Sequence, residues 1–152
     1  SVYATTLALL AIFITMGLTI GFGKFFLIQI SVMGIAGAAG IYLFYIQHQF
    51  EGVYWERHAN WDYAKGAFLG SSYFKLPKVL QFFSGNIGFH HVHHLNAKIP
   101  NYSLENCHDA VPFLQTAKTI TIPESFSATH LSLWDEAHHK LVSFKDIEPL
   151  TV

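Results

Sequence analysis

Four histidines fall within five residues, His90-His91-Val92-His93-His94. On a helix, positions i, i+3 and i+4 share one face. The spacing therefore predicts that His90, His93 and His94 converge while His91 points elsewhere. Three neutral imidazoles on one face suit zinc, copper, iron or nickel, whereas magnesium and calcium prefer oxygen. The cluster is internal and flanked by Gly88-Phe89 and Leu95, unlike a uniform terminal tag. Metal binding is the chemistry expected of it. His48 is a second candidate. It follows Gln47 at the end of a long apolar run and reads either as a ligand or as a histidine at a membrane interface.

The remaining histidines carry weaker signals. His58 reads as a surface group and His130 as isolated. His108 reads as a packed helix residue or a partner of the ligands. Glu136 and His139 have the Glu-x-x-His spacing of di-iron bundles, but in a stretch expected to be a turn.

The elements that must position these residues follow from the charge distribution. The 152 residues are 51% hydrophobic and only 12% charged, with nine Lys+Arg against ten Asp+Glu. That balance lacks the basic excess of a nucleic-acid binder, so no nucleic-acid partner is expected. Cys107 alone cannot form an intramolecular disulfide or a multi-cysteine zinc site. Residues 1–47 contain a single charged side chain, Lys24. Two apolar runs, Val2 to Gly21 and Phe25 to Gln47, each reach the ~20 residues a helix needs to cross a bilayer. With Phe22-Gly23-Lys24 as a tight turn, residues 1–48 are expected to form a transmembrane helical hairpin. Arg57 and Lys65 near the second helix end place the termini of the hairpin in the cytoplasm. Gly34, Ala36, Gly37 and Gly40 offer a small-residue face that reads first as a packing surface for another membrane helix and alternatively as space for a lipid chain.

Residues 49–152 are expected to form a cytoplasmic and interfacial region carrying the histidines. Residues 50–70 read as an interfacial helix, and Lys75 to Phe83 as a segment lying on a membrane surface. Ser84-Gly85-Asn86 reads as a break and helix start, Pro100 as the stop of that helix, and Ser103 to Gln115 as a further helix. Leu131 to Trp134 and Leu141 to Phe144, flanking Asp135 to Lys140, predict a short β-hairpin near the C-terminus. The fold class expected is a mainly α membrane protein.

Gly88-Phe89-His90-His91-Val92-His93-His94, followed by Ile99-Pro100-Asn101-Tyr102, resembles the third histidine box of membrane fatty-acid desaturases. Tyr45 to Glu51, Trp61 to Ala67 and Leu133-Trp134-Asp135-Glu136 are similar to the Δ12 (omega-6) branch of that family. The resemblance implies a multi-pass membrane enzyme with a non-haem di-iron site on the cytoplasmic side. It implies use of O2 to remove two hydrogens from adjacent carbons of an acyl chain carried as lipid, CoA ester or acyl-carrier protein. A ferredoxin or cytochrome b5-type donor would supply electrons. On the same resemblance His90, His93 and His94 are iron ligands, and His48 matches an additional histidine at the end of the last membrane helix. Gln47, Asn86 and His91 are candidates to orient those ligands, with ordinary structural hydrogen bonding as the alternative for each.

The sequence departs from that pattern in lacking the first and second boxes. Three imidazoles plus His48 cannot fill two irons. The expectation is a C-terminal portion of a longer enzyme, inactive alone, with the remaining ligands upstream. Two other readings stay open: a related lipid hydroxylase or ketolase, and a non-catalytic zinc-binding membrane module.

Overall fold

The computed structural model describes residues 2–146. Residues 147–152 of the expected cytoplasmic region lie outside them. The chain divides into two units, residues 1–42 and residues 43–152.

The first unit holds helix α1, Val2–Ile20, and most of helix α2, Phe22–His48. Both are long and apolar enough to cross a membrane. The expected turn at Phe22-Gly23-Lys24 is corrected: only Gly21 interrupts the helices, and residues 22–24 already form the first turn of α2. Gly21 has φ +90°, a left-handed conformation that ends a helix readily only when no Cβ is present. The Phe13 ring meets Phe22 and Phe25 beside this turn, with centroids 5.7 and 5.5 Å apart. A Cβ added at Gly34, Gly37 or Gly40 would meet nothing within 4 Å, so the small-residue face is open.

The second unit is built from short elements. They are α3 (Tyr63–Leu69), β1 (Tyr73–Lys75), α4 (Lys78–Phe83), α5 (His90–Leu95), α6 (Leu104–Ala110), β2 (Thr119–Thr121), α7 (Ile122–Ala128), β3 (Leu133–Asp135) and β4 (Lys140–Val142). β1 and β2 pair in parallel, Phe74 opposite Ile120. β3 and β4 form the expected antiparallel hairpin, Trp134 opposite Leu141. The core gathers Phe68, Phe89, Val92, Leu104, Leu114 and Ala117.

Several expected boundaries shift for identifiable reasons. The helix expected over residues 50–70 shrinks to α3. Gly52 takes φ +83°, and Asp62 caps α3 by accepting the Lys65 N–H at 2.8 Å. Asn86 does not cap a helix. It is left-handed at φ 58°, and a 3-10 turn over Ile87–Phe89 precedes α5. α5 stops at Leu95 rather than at Pro100, because Asn96 is already extended. The helix expected over Ser103 to Gln115 ends at Ala110, where Pro112 forces Val111 into an extended conformation. The β1–β2 pair and α7 had no expectation. α7 nonetheless carries a capping box, with Thr121 and Glu124 bonded reciprocally.

Candidate metal centre

Three imidazoles meet in the second unit. His48 is the last residue of α2, and His90 and His94 lie one helical turn apart on α5. His90 Nε2 lies 3.0 Å from both His48 Nε2 and His94 Nε2, and His94 Nε2 lies 3.3 Å from His48 Nε2. His90 is buried and the other two are half-buried.

The geometry fits a metal ion. An ion about 2.1 Å from each nitrogen holds two of them about 3.0 Å apart at a right angle and about 3.4 Å apart at a tetrahedral angle. All three separations fall in that interval. His48 Nδ1 lies 2.9 Å from the Gly70 carbonyl oxygen. A carbonyl only accepts, so Nδ1 carries the hydrogen and Nε2 is left with its lone pair. Burial first, then the neighbouring His94, His48, His93 and His91, lowers His90 to about 3. Burial, then His48 and His93, also lowers His94. Both are therefore neutral at pH 7, the form that binds metal.

The local sequence explains how α5 presents this face. Val92 and Leu95 pack into or against the core, which turns His90 and His94 away from it. Gly88 sits where a Cβ would lie 2.4 Å from both the Phe74 carbonyl oxygen and the Gln81 amide nitrogen. Only glycine lets the backbone approach β1 so closely just before the histidines. Tyr63 on α3 donates its hydroxyl to the His94 carbonyl at 3.0 Å, satisfying a backbone acceptor at the end of α5.

The other sequence candidates occupy distinct places. The His93 ring lies beside His90 with centroids 5.9 Å apart, outside the triangle of Nε2 atoms. His91 points into the core, fully buried, with Nε2 3.0 Å from His108 Nδ1. Burial, then His108, lowers His91 to about 4, and burial also lowers His108. Gln47 is fully buried. Its side-chain oxygen and nitrogen have no hydrogen-bond partner among the described residues, while its carbonyl accepts the Ser72 N–H at 3.1 Å. Asn86 donates to the Asn101 carbonyl at 3.1 Å, tying down the loop before α5. Glu136 pairs with Arg57, and His138 rather than His139 bonds Asp135, at 2.7 Å. The Glu-x-x-His spacing thus makes no metal cluster among the described residues.

Sequence reasoning missed Gly70, whose carbonyl orients His48. It left His108 between two readings, and the structure makes it the partner of His91. Gly70 offered no signal, because its role belongs to its carbonyl. A cavity of about 420 Å3 opens against His48 and His94, walled by Tyr54, Trp55, Trp61 and Tyr63. A second, about 330 Å3, reaches His48 from the side of Trp55, Trp134 and Leu141.

Histidine nitrogens gathered at the end of a helix long enough to cross a bilayer define a mainly helical chain with two candidate membrane helices and a histidine cluster that could hold a metal ion. The chain belongs to the fatty acid desaturase family, whose profile matches residues 1–119. It is similar to a protein of Bacillus subtilis (strain 168) named fatty acid desaturase, 44% identical over 150 residues. The aligned region covers 99% of this chain and 43% of that relative, so the chain spans less than half of the relative's length. No solved structure matches the chain.

Proposed function

We propose that this chain contributes one part of a non-haem di-iron fatty-acid desaturase that inserts a double bond into an acyl chain, with Δ12 (omega-6) regiochemistry. The observation that carries the reading is the triangle of His48, His90 and His94 nitrogens, in a chain of this family. His48, His90 and His94 hold one iron. His93, on the adjoining edge of α5, serves the second, together with ligands from sequence outside residues 1–152.

When bound, the iron pair supplies the redox chemistry with O2 that removes hydrogen from an unactivated CH2 group. This chain's residues supply neutrality and placement. His90 and His94 stay deprotonated because burial penalises their charged forms. The Gly70 carbonyl holds the His48 ring in one orientation and one tautomer. Trp55, Trp61, Tyr54 and Tyr63 wall the open space beside His48 and His94 with largely apolar surface, which suits an acyl chain without a polar handle. α1 and α2 cross the membrane with the histidines on the cytoplasmic side. The acyl substrate arrives as lipid, CoA ester or acyl-carrier protein, and electrons come from a ferredoxin or cytochrome b5-type partner.

The decisive experiment compares the 152-residue chain with the complete protein that contains it. The complete protein is expected to bind two irons and to form an unsaturated acyl product with O2 and a reductant. The 152-residue chain alone is expected to bind fewer than two and to form none. Stoichiometric di-iron and product from the short chain would overturn the division of ligands. Hydroxylated product without a new double bond would move the assignment to a lipid hydroxylase. Zinc in place of iron, with no oxidation, would move it to a binding module.

A further inference from the structure

α4 is built inside out for a helix of a water-soluble unit. Its six residues are Lys78-Val-Leu-Gln-Phe-Phe83, and the one buried side chain among them is Gln81. Gln81 donates from its side-chain nitrogen to the Phe74 carbonyl at 3.1 Å. The four apolar side chains face outward instead. Phe82 and Phe83 are 76% and 79% exposed, and Val79 and Leu80 are exposed beside them. Turning an apolar face outward is favourable only against another apolar phase.

The surrounding charge indicates which phase. No Asp or Glu occurs between Asp62 and Glu105, whereas Lys65, Lys75, Lys78 and Lys98 do. Lys75 and Lys78 flank the apolar face, and both are exposed. A Phe-rich face bordered by lysines, within an acid-free stretch, has the chemistry of a segment lying in the interface of an anionic bilayer. Such a bilayer borders this unit, because α2 is long and apolar enough to cross one and ends at His48 within the unit.

We propose that α4 is an interfacial anchor. Phe82 and Phe83 enter the boundary between headgroups and acyl chains, and Lys75 and Lys78 meet lipid phosphates. Gln81 fastens the anchor to β1, against which Gly88, two residues before the histidine helix, also packs. The anchor thereby sets the depth of the histidine site relative to the lipid surface. This rests on the membrane assignment of α1 and α2, and the test separates the two.

Nitroxide labels are placed singly at Val79→Cys, Phe82→Cys and Phe83→Cys in a Cys107→Ser background. The complete protein is reconstituted in vesicles of phosphatidylcholine and phosphatidylglycerol. Collision rates with O2, which concentrates in lipid, are compared with those of a water-soluble nickel chelate. High O2 and low nickel accessibility at all three positions is expected, the reverse of a label at Lys98→Cys. Nickel access at Phe82 and Phe83 would place them in water and overturn the anchor. Low access to both reagents would place them under protein and overturn it equally. A label at Ile35→Cys in α2 reports the membrane assignment by itself; lipid exposure there without lipid exposure at α4 would defeat the anchor alone. Lys75→Gln with Lys78→Gln is expected to lower the O2-to-nickel ratio at Phe82, and an unchanged ratio would remove the lysines from the anchor.

Discussion

The His48 ring and the Gly70 carbonyl are joined by a 2.9 Å hydrogen bond from Nδ1 to oxygen. This bond fixes the His48 ring, whose Nε2 lies 3.0 Å from His90 Nε2 and 3.3 Å from His94 Nε2. Gly70 is poorly replaceable, since a Cβ there would lie 2.3 Å from the Gly66 carbonyl oxygen.

Gly70→Ala is therefore expected to displace the carbonyl and free the ring. Loss of a group that orients a metal-bound histidine costs about 10- to 100-fold in affinity. Titration of the purified protein with Co2+, followed by its visible spectrum, measures this. Unchanged affinity in a folded variant would deny Gly70 its orienting role.

His93 and His94 are neighbours in sequence with different expected consequences. His94→Ala removes one corner of the nitrogen triangle, and binding of the single ion by the 152-residue chain should be lost. His93→Ala should leave that binding intact. In the complete protein, either substitution should abolish desaturation and lower the iron content. Iron analysis of both variants in both settings decides the assignment.

The buried pair of His91 and His108 predicts how stability depends on pH. Both folded-state values lie below the ordinary histidine value, His91 at about 4. Between about 4 and the unperturbed value of about 6.5 the unfolded chain binds the extra proton. The contribution of this pair is thus complete above about pH 6.5, falls as pH drops and levels for His91 below about 4. Metal-free His90, lowered to about 3, adds a loss of the same sign that continues below that point. Urea unfolding of the metal-free protein across that range should show the slope, and His91→Asn should reduce it, leaving the share of His90 and His94. An equal slope in the variant would assign the acid sensitivity to other groups.

Gly88 carries a packing constraint apart from the metal. Ala at this position meets the Phe74 backbone, which cannot swing aside as a side chain could. Overpacking of this kind costs about 1–3 kcal/mol. Thr121→Ala, which breaks the cap of α7, is expected to cost about 1 kcal/mol. Both are measurable by denaturant unfolding. A larger loss for Thr121 than for Gly88 would contradict the ranking.

Much of the site was legible in the order of residues. The spacing of His90, His93 and His94 defines one helix face, and the near absence of charge before His48 marks two helices of membrane length. These are local properties, governed by helical period and by the cost of burying charge in an apolar phase. The β-hairpin was legible for the same reason, since its strands lie a few residues apart. The parallel pairing of Tyr73–Lys75 with Thr119–Thr121 was not, because each strand is three residues long and its partner is remote.

Sequence alone determined that histidines would face one side of a short helix and that one more stood at the end of an apolar helix. It could not choose which two meet His48. Relative to His90, His93 stands about 60° to one side of the helix and His94 about 40° to the other, so helical period admits both. Tertiary packing made the choice. Val92 and Leu95 seat α5 on the core, His91 locks onto His108, and the Gly70 carbonyl turns the His48 ring. Together these bring His90 and His94, but not His93, to the shared point. Contacts between residues more than forty positions apart depend on how the intervening chain folds, and no local pattern encodes them.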